Sequence, residues 1–158
     1  GLVRLGVGVS DAAAVAEDLL SAGRPEDGVT GVLVAEMVHG TRELIAGVAR
    51  DPQFGPTVLL GVGGVLAEAV ADVAVRLLPI TRVDALEMLE QLELQALLGP
   101  FRGEPAVDPE AVADVLLALG DAVAARPEIV SVDLNPLVVR DGRPVAVDAL
   151  VELGEPVA

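Results

Sequence analysis

The stretch from Ser131 to Asp148 constrains this chain most, because it contains a turn that fixes how the flanking residues pair. Asp141-Gly142 separates two valine-rich runs, which is a strong signal for a two-residue β-hairpin loop. The predicted register has three informative pairs: Arg140 with Arg143, Val138 with Val145, and Asn135 with Asp148.

The same register distributes polar and apolar side chains over two faces. Side chains alternate along a strand, so Asp133 and Asn135 share one face. Asp148 joins them there, roughly 5 Å from Asn135 between Cβ atoms and about 7–8 Å from Asp133 on the diagonal. The opposite face is predicted to belong to the core and carries Val132, Leu134, Val138, Val145 and Val147.

Three oxygen-bearing side chains on one patch of an apolar hairpin have two interpretations. Hard oxygen ligands suit Mg²⁺, which usually takes one or two carboxylates together with phosphate oxygens and water. Asp and Asn near a turn are also common as ordinary solvated residues, so the spacing by itself leaves both interpretations open.

Composition narrows the class of protein. At 158 residues the chain is about one domain, long enough to bury a core, which must be aliphatic because Phe54 and Phe101 are the only aromatic residues. The net charge of -15 argues against nucleic acid and against an acidic membrane surface as partners. No cysteine is present to form disulfides or a thiolate metal site. No signal peptide is recognisable, so the cytoplasm is the default compartment.

Apolar periodicity and turn signals predict an α+β fold rather than a doubly wound sheet. The predicted strands are Leu2–Val9, Val32–Val38, Arg42–Arg50, Thr57–Leu60 and Val73–Ile80, followed by the hairpin. The predicted helices are Asp11–Ala22 with Ser10 as N-cap, Val83–Leu98 with a Thr81/Asp84 capping box, and a helix from Asp108-Pro109 to Arg126-Pro127. The segment Arg42–Arg50 also fits a helix, and Val65–Asp72 is open between helix and strand.

Several motifs have a functional and an ordinary interpretation. Glu36 and Glu43 flank a tight connection and could accept hydrogen bonds from an amino group and ribose hydroxyls, or be surface charges. His39 is the only histidine, and no nucleophilic triad is indicated around it. Gly61-x-Gly63-Gly64 could approach a phosphate, although glycines at a turn are the stronger interpretation. Arg102 could clamp an anion or lie on the surface.

Taken together, six motifs in order resemble the ATP-grasp domain of the NDP-forming acyl-CoA synthetases, the relatives of the succinyl-CoA synthetase β-subunit. The motifs are E-M-V-x-G-x-R-E-L-I-x-G, D-P-x-F-G-P, G-x-G-G-V-x-x-E, D-V-x-x-R-x-x-P, the Leu98–Gly103 version of L-x-G-x-x-R-G, and D-x-N-P-L-V-V with a later V-D. The resemblance covers about Leu2 to Leu153.

The resemblance implies a fold and a set of site residues. The nucleotide (ATP or ADP, with Mg²⁺) would lie between two α+β subdomains, in a fold with a mostly antiparallel sheet flanked by helices. The adenine would contact Glu36, Val38 and His39, and Glu43 would hold the ribose. The direct Mg²⁺ ligands would be Asn135 and Asp148, with Asp133 as a supporting carboxylate. Glu68 falls in the G-G-x-x-x-E segment without an assigned role.

Departures from the family pattern limit what this chain should do alone. It has no lysine for the nucleotide phosphates, and neither family histidine matches His39. Residues 1–38 are therefore interpreted as a remnant of the smaller subdomain, 39–153 as the larger subdomain and 154–158 as a tail. No catalytic residue is assigned, and the chain alone is not expected to catalyse the reaction.

The implied partners are the rest of the ATP-grasp domain and a CoA-binding, phosphohistidine-bearing domain or subunit, and self-association is a further expectation. The parent enzyme would be an ADP-forming acid–thiol ligase. The alternatives are an ATP-grasp-like regulatory domain of a protein acetyltransferase and a non-catalytic interaction module.

Overall fold

The computed structural model describes residues 2–24, 26, 28–64 and 71–154. The chain divides into two compact units, Gly1–Met37 and Val38–Ala158. Assignment of residues 1–38 and 39–153 to two ATP-grasp subdomains stays a prediction. None of the described helices is long and apolar enough to cross a membrane.

The first unit contains one helix, α1 (Ala12–Ala22), among its described residues. The predicted helix is confirmed and ends at Gly23, but Asp11 rather than Ser10 occupies the N-cap, without a side-chain capping bond. The strands predicted at Leu2–Val9 and Val32–Val38 are wrong, because no strand is formed there and the residues are mostly exposed. A strand needs a hydrogen-bonded neighbour, and the described residues of both segments pair with none.

The second unit is an antiparallel sheet with helices packed on it, which confirms the predicted α+β class. Its elements are β1 (Arg42–Asp51), β2 (Gly55–Val62), β3 (Val73–Leu77), α2 (Arg82–Gln91), α3 (Gln95–Leu98), α4 (Pro109–Ala125), β4 (Ile129–Arg140), β5 (Arg143–Ala146) and β6 (Leu150–Leu153). Among the described residues the strand order is β3-β2-β1-β4-β5, and β6 also pairs with β4.

The core lies between one face of the sheet and the helices. Alternation along β1 directs Leu44, Ala46 and Val48 to this face, where each is at most 4% exposed. Helix α4 begins at Pro109 with the Asp108 side chain accepting from two backbone N–H groups, as the Asp-Pro signal predicts. The buried residues that α4 contributes include Val112, Leu116, Leu119 and Val123.

The predicted hairpin is confirmed at its turn. Arg140 pairs with Arg143 across Asp141 (φ 52°) and Gly142 (φ 81°). Two positive φ values in a two-residue loop are typical of a type I′ turn, which matches the twist of the flanking strands. A side chain at Gly142 is also excluded sterically, since a Cβ there would lie 2.6 Å from the Ala106 carbonyl oxygen.

The predicted apolar face of the hairpin is only partly right, because β4 contains a bulge. Leu44 pairs with Leu137 and Ala46 with Leu134, so Ile45 opposes the two residues Asn135-Pro136. One extra residue reverses the alternation beyond it, and a proline without an N–H is tolerated at such a bulge.

The list of core residues changes accordingly. Leu137 and Val139 join the core facing the helices, whereas Val138 is buried outside that cluster, paired with Glu43. Val147, which was predicted to be core, is 42% exposed.

The helix predicted over Val83–Leu98 is two helices. Helix α2 ends at Gln91, and the buried carboxylate of Asp72 accepts hydrogen bonds from the backbone N–H groups of Glu93 (2.8 Å) and Leu94 (2.9 Å). Because these groups are satisfied by a side chain, the chain can turn before α3 begins. The Gln95 side-chain amide also donates to the Leu92 carbonyl (2.7 Å), which stabilises the same break.

The capping box at the start of α2 is confirmed, since the Thr81 hydroxyl accepts from the Asp84 N–H and the Asp84 carboxylate accepts from the Thr81 N–H at 2.6 Å. We expect Thr81→Ala to destabilise the chain by about 1 kcal/mol, because an N-cap acceptor is lost. Urea unfolding would measure this. Thr81→Ser, which keeps the hydroxyl, is the control and should stay near the unmodified chain; equal losses in both variants would contradict a capping role.

The same box makes part of the stability dependent on pH. Hydrogen bonds from the Thr81 side chain and backbone lower the pKa of Asp84. A carboxyl whose folded pKa lies below its unfolded value contributes stability above the unfolded pKa and loses it as the pH falls through the folded pKa. The difference between the unmodified chain and Thr81→Ala should therefore shrink in acid.

Candidate functional site

The predicted metal ligands Asn135 and Asp148 lie opposite each other where the β4 ladder changes partner. Leu137 pairs with Ala146 of β5, and Asp133 pairs with Leu150 of β6 in the same register. Between these pairs the Val147 N–H donates to the Pro136 carbonyl at 3.3 Å. A constant register across the interruption places Asn135 against Asp148, at the bulge that β4 forms against β1.

The oxygen atoms of this pair are available to a ligand. Asn135 and Asp148 are exposed, and within the described residues the only side-chain hydrogen bond at either is from the Ala149 N–H to Asp148 Oδ1, at 2.8 Å. An amide oxygen and a carboxylate are hard ligands that fit Mg²⁺. No group of three or more His, Asp or Glu side chains forms a metal cage in the described part of the chain.

Asp133 lies on β4 two residues before Asn135 and is therefore further from the hairpin turn. It is exposed, with Gly47 of β1 on one side and Leu150 of β6 on the other. Gly47 places no side chain beside this carboxylate, and a Cβ there would lie 2.8 Å from the Val132 carbonyl oxygen, so a larger residue would require the backbone to shift. Its proposed supporting role stays a prediction.

Glu43 lies on β1, the strand next to Asn135. It pairs with Val138, and it is about 7 Å along the strand from Ile45, which opposes the Asn135-Pro136 bulge. The Gly63 N–H donates to the Glu43 carbonyl at 2.8 Å. A Cβ at Gly64, where φ is 76°, would lie 3.3 Å from Glu43 Oε2. The two glycines thus let the loop after β2 lie against the glutamate, a function that the glycine motif alone does not reveal.

The other predicted nucleotide contacts lie on the segment before β1. Glu36 belongs to the first unit and is exposed. Val38 and His39 belong to the second unit, where Val38 is partly exposed and His39 exposed. Glu68 lies outside the described residues.

A buried arginine beside Glu43 was not predicted from the sequence. Arg42 faces the core, and its side chain is 2% exposed in an ion pair with Glu104 (3.3 Å). Strand alternation was the available signal, because it places Arg42 on the same face as Leu44 and Ala46. Its partner is distant in sequence, and no local pattern indicates it.

Arg102 lies at the tip of a tight turn. Its φ is 49°, and its guanidinium carbon is 5.2 Å from the centre of the Phe101 ring. The described residues provide no carboxylate partner for it, although the chain is strongly acidic. Contact with the aromatic ring is the interaction that the structure gives to this side chain.

Comparisons with known proteins agree with this arrangement of motifs. The chain is 42% identical over 160 residues to acetate–CoA ligase (ADP-forming) I of Archaeoglobus fulgidus, covering 99% of this chain and 23% of the relative. It is 40% identical over 126 residues to the β subunit of acetate–CoA ligase (ADP-forming) I of Pyrococcus furiosus, covering 80% of this chain and 54% of the relative. The chain therefore spans between about a quarter and half of these curated relatives.

Solved structures of an acetyl-coenzyme A synthetase also match this chain. A dinucleotide-forming acetyl-coenzyme A synthetase 1 of Ca. Korarchaeum cryptofilum, in complex with coenzyme A and Mg-AMPPCP, matches with a TM-score of 0.68 and 42% identity, over 75% of this chain and 55% of that one. Its apo form matches with a TM-score of 0.75 and 40% identity, over 82% of this chain and 62% of that one.

The family-level match covers nearly the whole chain. The ATP-grasp domain matches residues 2–153, and relatives of this domain are named ADP-forming acetate–CoA ligases. The resemblance inferred from the six motifs is thereby confirmed: the chain belongs to the ATP-grasp domain family, in the branch found in NDP-forming acyl-CoA synthetases.

Proposed function

We propose that this chain is the Mg²⁺- and nucleotide-binding part of an NDP-forming acyl-CoA synthetase, which converts acyl-CoA, ADP and phosphate into the free acid, CoA and ATP. The observation that carries the proposal is that the oxygen-bearing side chains of Asn135 and Asp148 are both exposed and lie at opposite positions of one strand register. A related synthetase has been solved with coenzyme A and Mg-AMPPCP, which supports the same class of ligand here.

Each proposed site residue has a binding or positioning task. Asn135 and Asp148 would hold Mg²⁺ directly, and Asp133 would orient or supplement them. When bound, Mg²⁺ would neutralise negative charge on the nucleotide phosphates. Glu43 would accept hydrogen bonds from the ribose hydroxyls, beside the Gly63-Gly64 loop. Glu36, Val38 and His39 would contact the adenine.

The remaining chemistry is proposed to come from outside this chain. It has no lysine to contact the phosphates, and no residue of it is assigned as a nucleophile. A relative is named as a β subunit, which supports a further subunit or domain as partner. In this proposal the chain positions the metal–nucleotide complex, and its partner supplies the CoA site and the phosphohistidine.

Calorimetric titration of ADP into the full-length protein, with Mg²⁺ and with excess EDTA, tests the proposal. We expect binding to depend on Mg²⁺, because Asn135 and Asp148 would contribute to nucleotide binding by holding the metal. Glu43→Ala should weaken Mg–ADP binding about tenfold, the size expected for loss of a hydrogen bond to a charged group. Equal affinity with and without Mg²⁺ would contradict the proposed metal site.

A further inference from the structure

The Arg42 side chain is enclosed by hydrogen-bond acceptors. Its guanidinium donates to the Leu97 (3.2 Å), Gly99 (2.9 Å) and Pro105 (2.6 Å) carbonyls and to Glu104 Oε2 (3.3 Å from Nη2). With 2% of the side chain exposed, it can adopt few other geometries. Its planar set of donors therefore fixes the chain on both sides of the Glu104 turn to the first residue of β1.

Glu104 connects this buried arginine to the backbone before β1. One carboxylate oxygen contacts the guanidinium, and the other accepts from the Thr41 N–H at 3.0 Å. The turn that carries Glu104 is closed by two backbone hydrogen bonds between Phe101 and Glu104, at 3.2 and 2.9 Å. Burial raises the pKa of Glu104, but the hydrogen bonds from Thr41 and Arg42 outweigh it and lower the pKa overall, so the carboxylate stays charged.

Thr41 and Arg42 immediately precede Glu43. Successive side chains of a strand point to opposite faces, so an arginine fixed into the core directs the next residue to the other face. The Glu43 backbone is also held by pairing with Val138 and by the Gly63 N–H. In the described residues no hydrogen bond or ion pair holds the Glu43 carboxylate itself. The direction of this side chain therefore depends on the position of its backbone.

We propose that Glu104 is a positioning residue for nucleotide recognition: by bridging Arg42 and the Thr41 N–H, it sets the start of β1 so that the Glu43 carboxylate meets the ribose hydroxyls. This inference rests on the proposed ribose-binding function of Glu43. Glu104, which lies outside the nucleotide site, would thereby contribute to the selectivity for ribose over deoxyribose.

The test is the ratio of two affinities in the full-length protein, measured calorimetrically for Mg–ADP and Mg–2′-deoxy-ADP. We expect the unmodified protein to prefer the ribonucleotide about tenfold or more, since a hydrogen bond to a charged group is at stake. Glu104→Gln replaces one acceptor oxygen with an NH₂ donor, so it cannot accept at both positions where Oε1 meets the Thr41 N–H and Oε2 meets Arg42. It should lower the preference to about twofold to threefold. The ratio does not change if a variant merely lowers the folded fraction.

Further variants separate the two proposals. Glu43→Ala should abolish the preference, and Glu43→Ala with Glu104→Gln should lose nothing more, because both act through one contact. Glu104→Asp keeps the charge beside Arg42 but has a shorter side chain to reach the Thr41 N–H. It should therefore lose the same part of the ribose preference while disturbing the fold less. Glu110→Gln, which weakens the exposed Arg82–Glu110 pair (2.8 Å), is the matched control and should leave the ratio unchanged.

Two results would overturn the inference. A full ribose preference in Glu104→Gln and Glu104→Asp, with the preference lost in Glu43→Ala, would refute the positioning role and leave the proposed function intact. An unchanged preference in Glu43→Ala would refute the ribose contact, and the inference with it, while the Mg²⁺ dependence of ADP binding would still report on the metal site.

Discussion

Asn135→Ala and Asp148→Ala are each expected to weaken Mg²⁺-dependent ADP binding by about a hundredfold or more in the full-length protein. Each removes one of two protein oxygens that would hold the metal, and loss even of a residue supporting a ligand costs roughly 10–100-fold. Asp133→Asn, which changes a supporting carboxylate, should cost about tenfold on the same scale. Calorimetric titration at several Mg²⁺ concentrations would measure all three.

Two controls separate a metal effect from a general one. With excess EDTA, the variants and the unmodified protein should bind ADP with the same residual affinity, because the metal is absent from all of them. Asp141→Asn removes a carboxylate from the turn of the same hairpin, and asparagine tolerates the positive φ of 52° there. It should bind Mg–ADP within about twofold of the unmodified protein. Unaltered Mg²⁺ dependence in both alanine variants would refute the site.

The structure shows which parts of the fold were accessible from sequence. The register of the Asp141-Gly142 turn could be predicted because its geometry is local. The strand interpretation of Arg42–Arg50, a segment that also fitted a helix, is confirmed by β1. The bulge at Asn135-Pro136 depends on the partner strand β1, so the change of face at Val138 was not readable from the hairpin. The break between α2 and α3 similarly depends on Asp72, which is distant from Glu93 in sequence.

The candidate site, like the fold, was predictable from sequence only where its features are local or belong to a recognisable motif. Local spacing placed Asn135 opposite Asp148, and the motifs added Glu43 through resemblance to a family. The contact of Glu43 with the Gly63-Gly64 loop requires the sheet to be assembled, since β1 and β2 are antiparallel neighbours only in the fold. Apolar composition alone misled at Val32–Val38, because strand propensity cannot state whether a pairing partner exists.

Arg42→Met is expected to destabilise the chain by about 3–5 kcal/mol, the largest stability effect we predict for a single residue. Methionine fills much of the volume but donates no hydrogen bond, so the Leu97, Gly99 and Pro105 carbonyls lose a donor that they share at 2.6–3.2 Å. A buried acceptor left without a partner costs about 1–3 kcal/mol. Urea unfolding should show a midpoint lower by about 2 M, for a typical dependence on denaturant.

The matched comparison is Arg82→Met, which removes an arginine with two carboxylate partners at a largely exposed position. The Arg82 guanidinium contacts Glu110 and Asp114 at 2.8 and 2.7 Å, but 47% of its side chain is exposed. Water can replace those contacts, so the midpoint should move far less than in Arg42→Met. Similar shifts in the two variants would mean that water also reaches the carbonyls around Arg42. We therefore expect burial, rather than the number of ion pairs, to determine how strongly Arg42 stabilises the segment that carries Glu43.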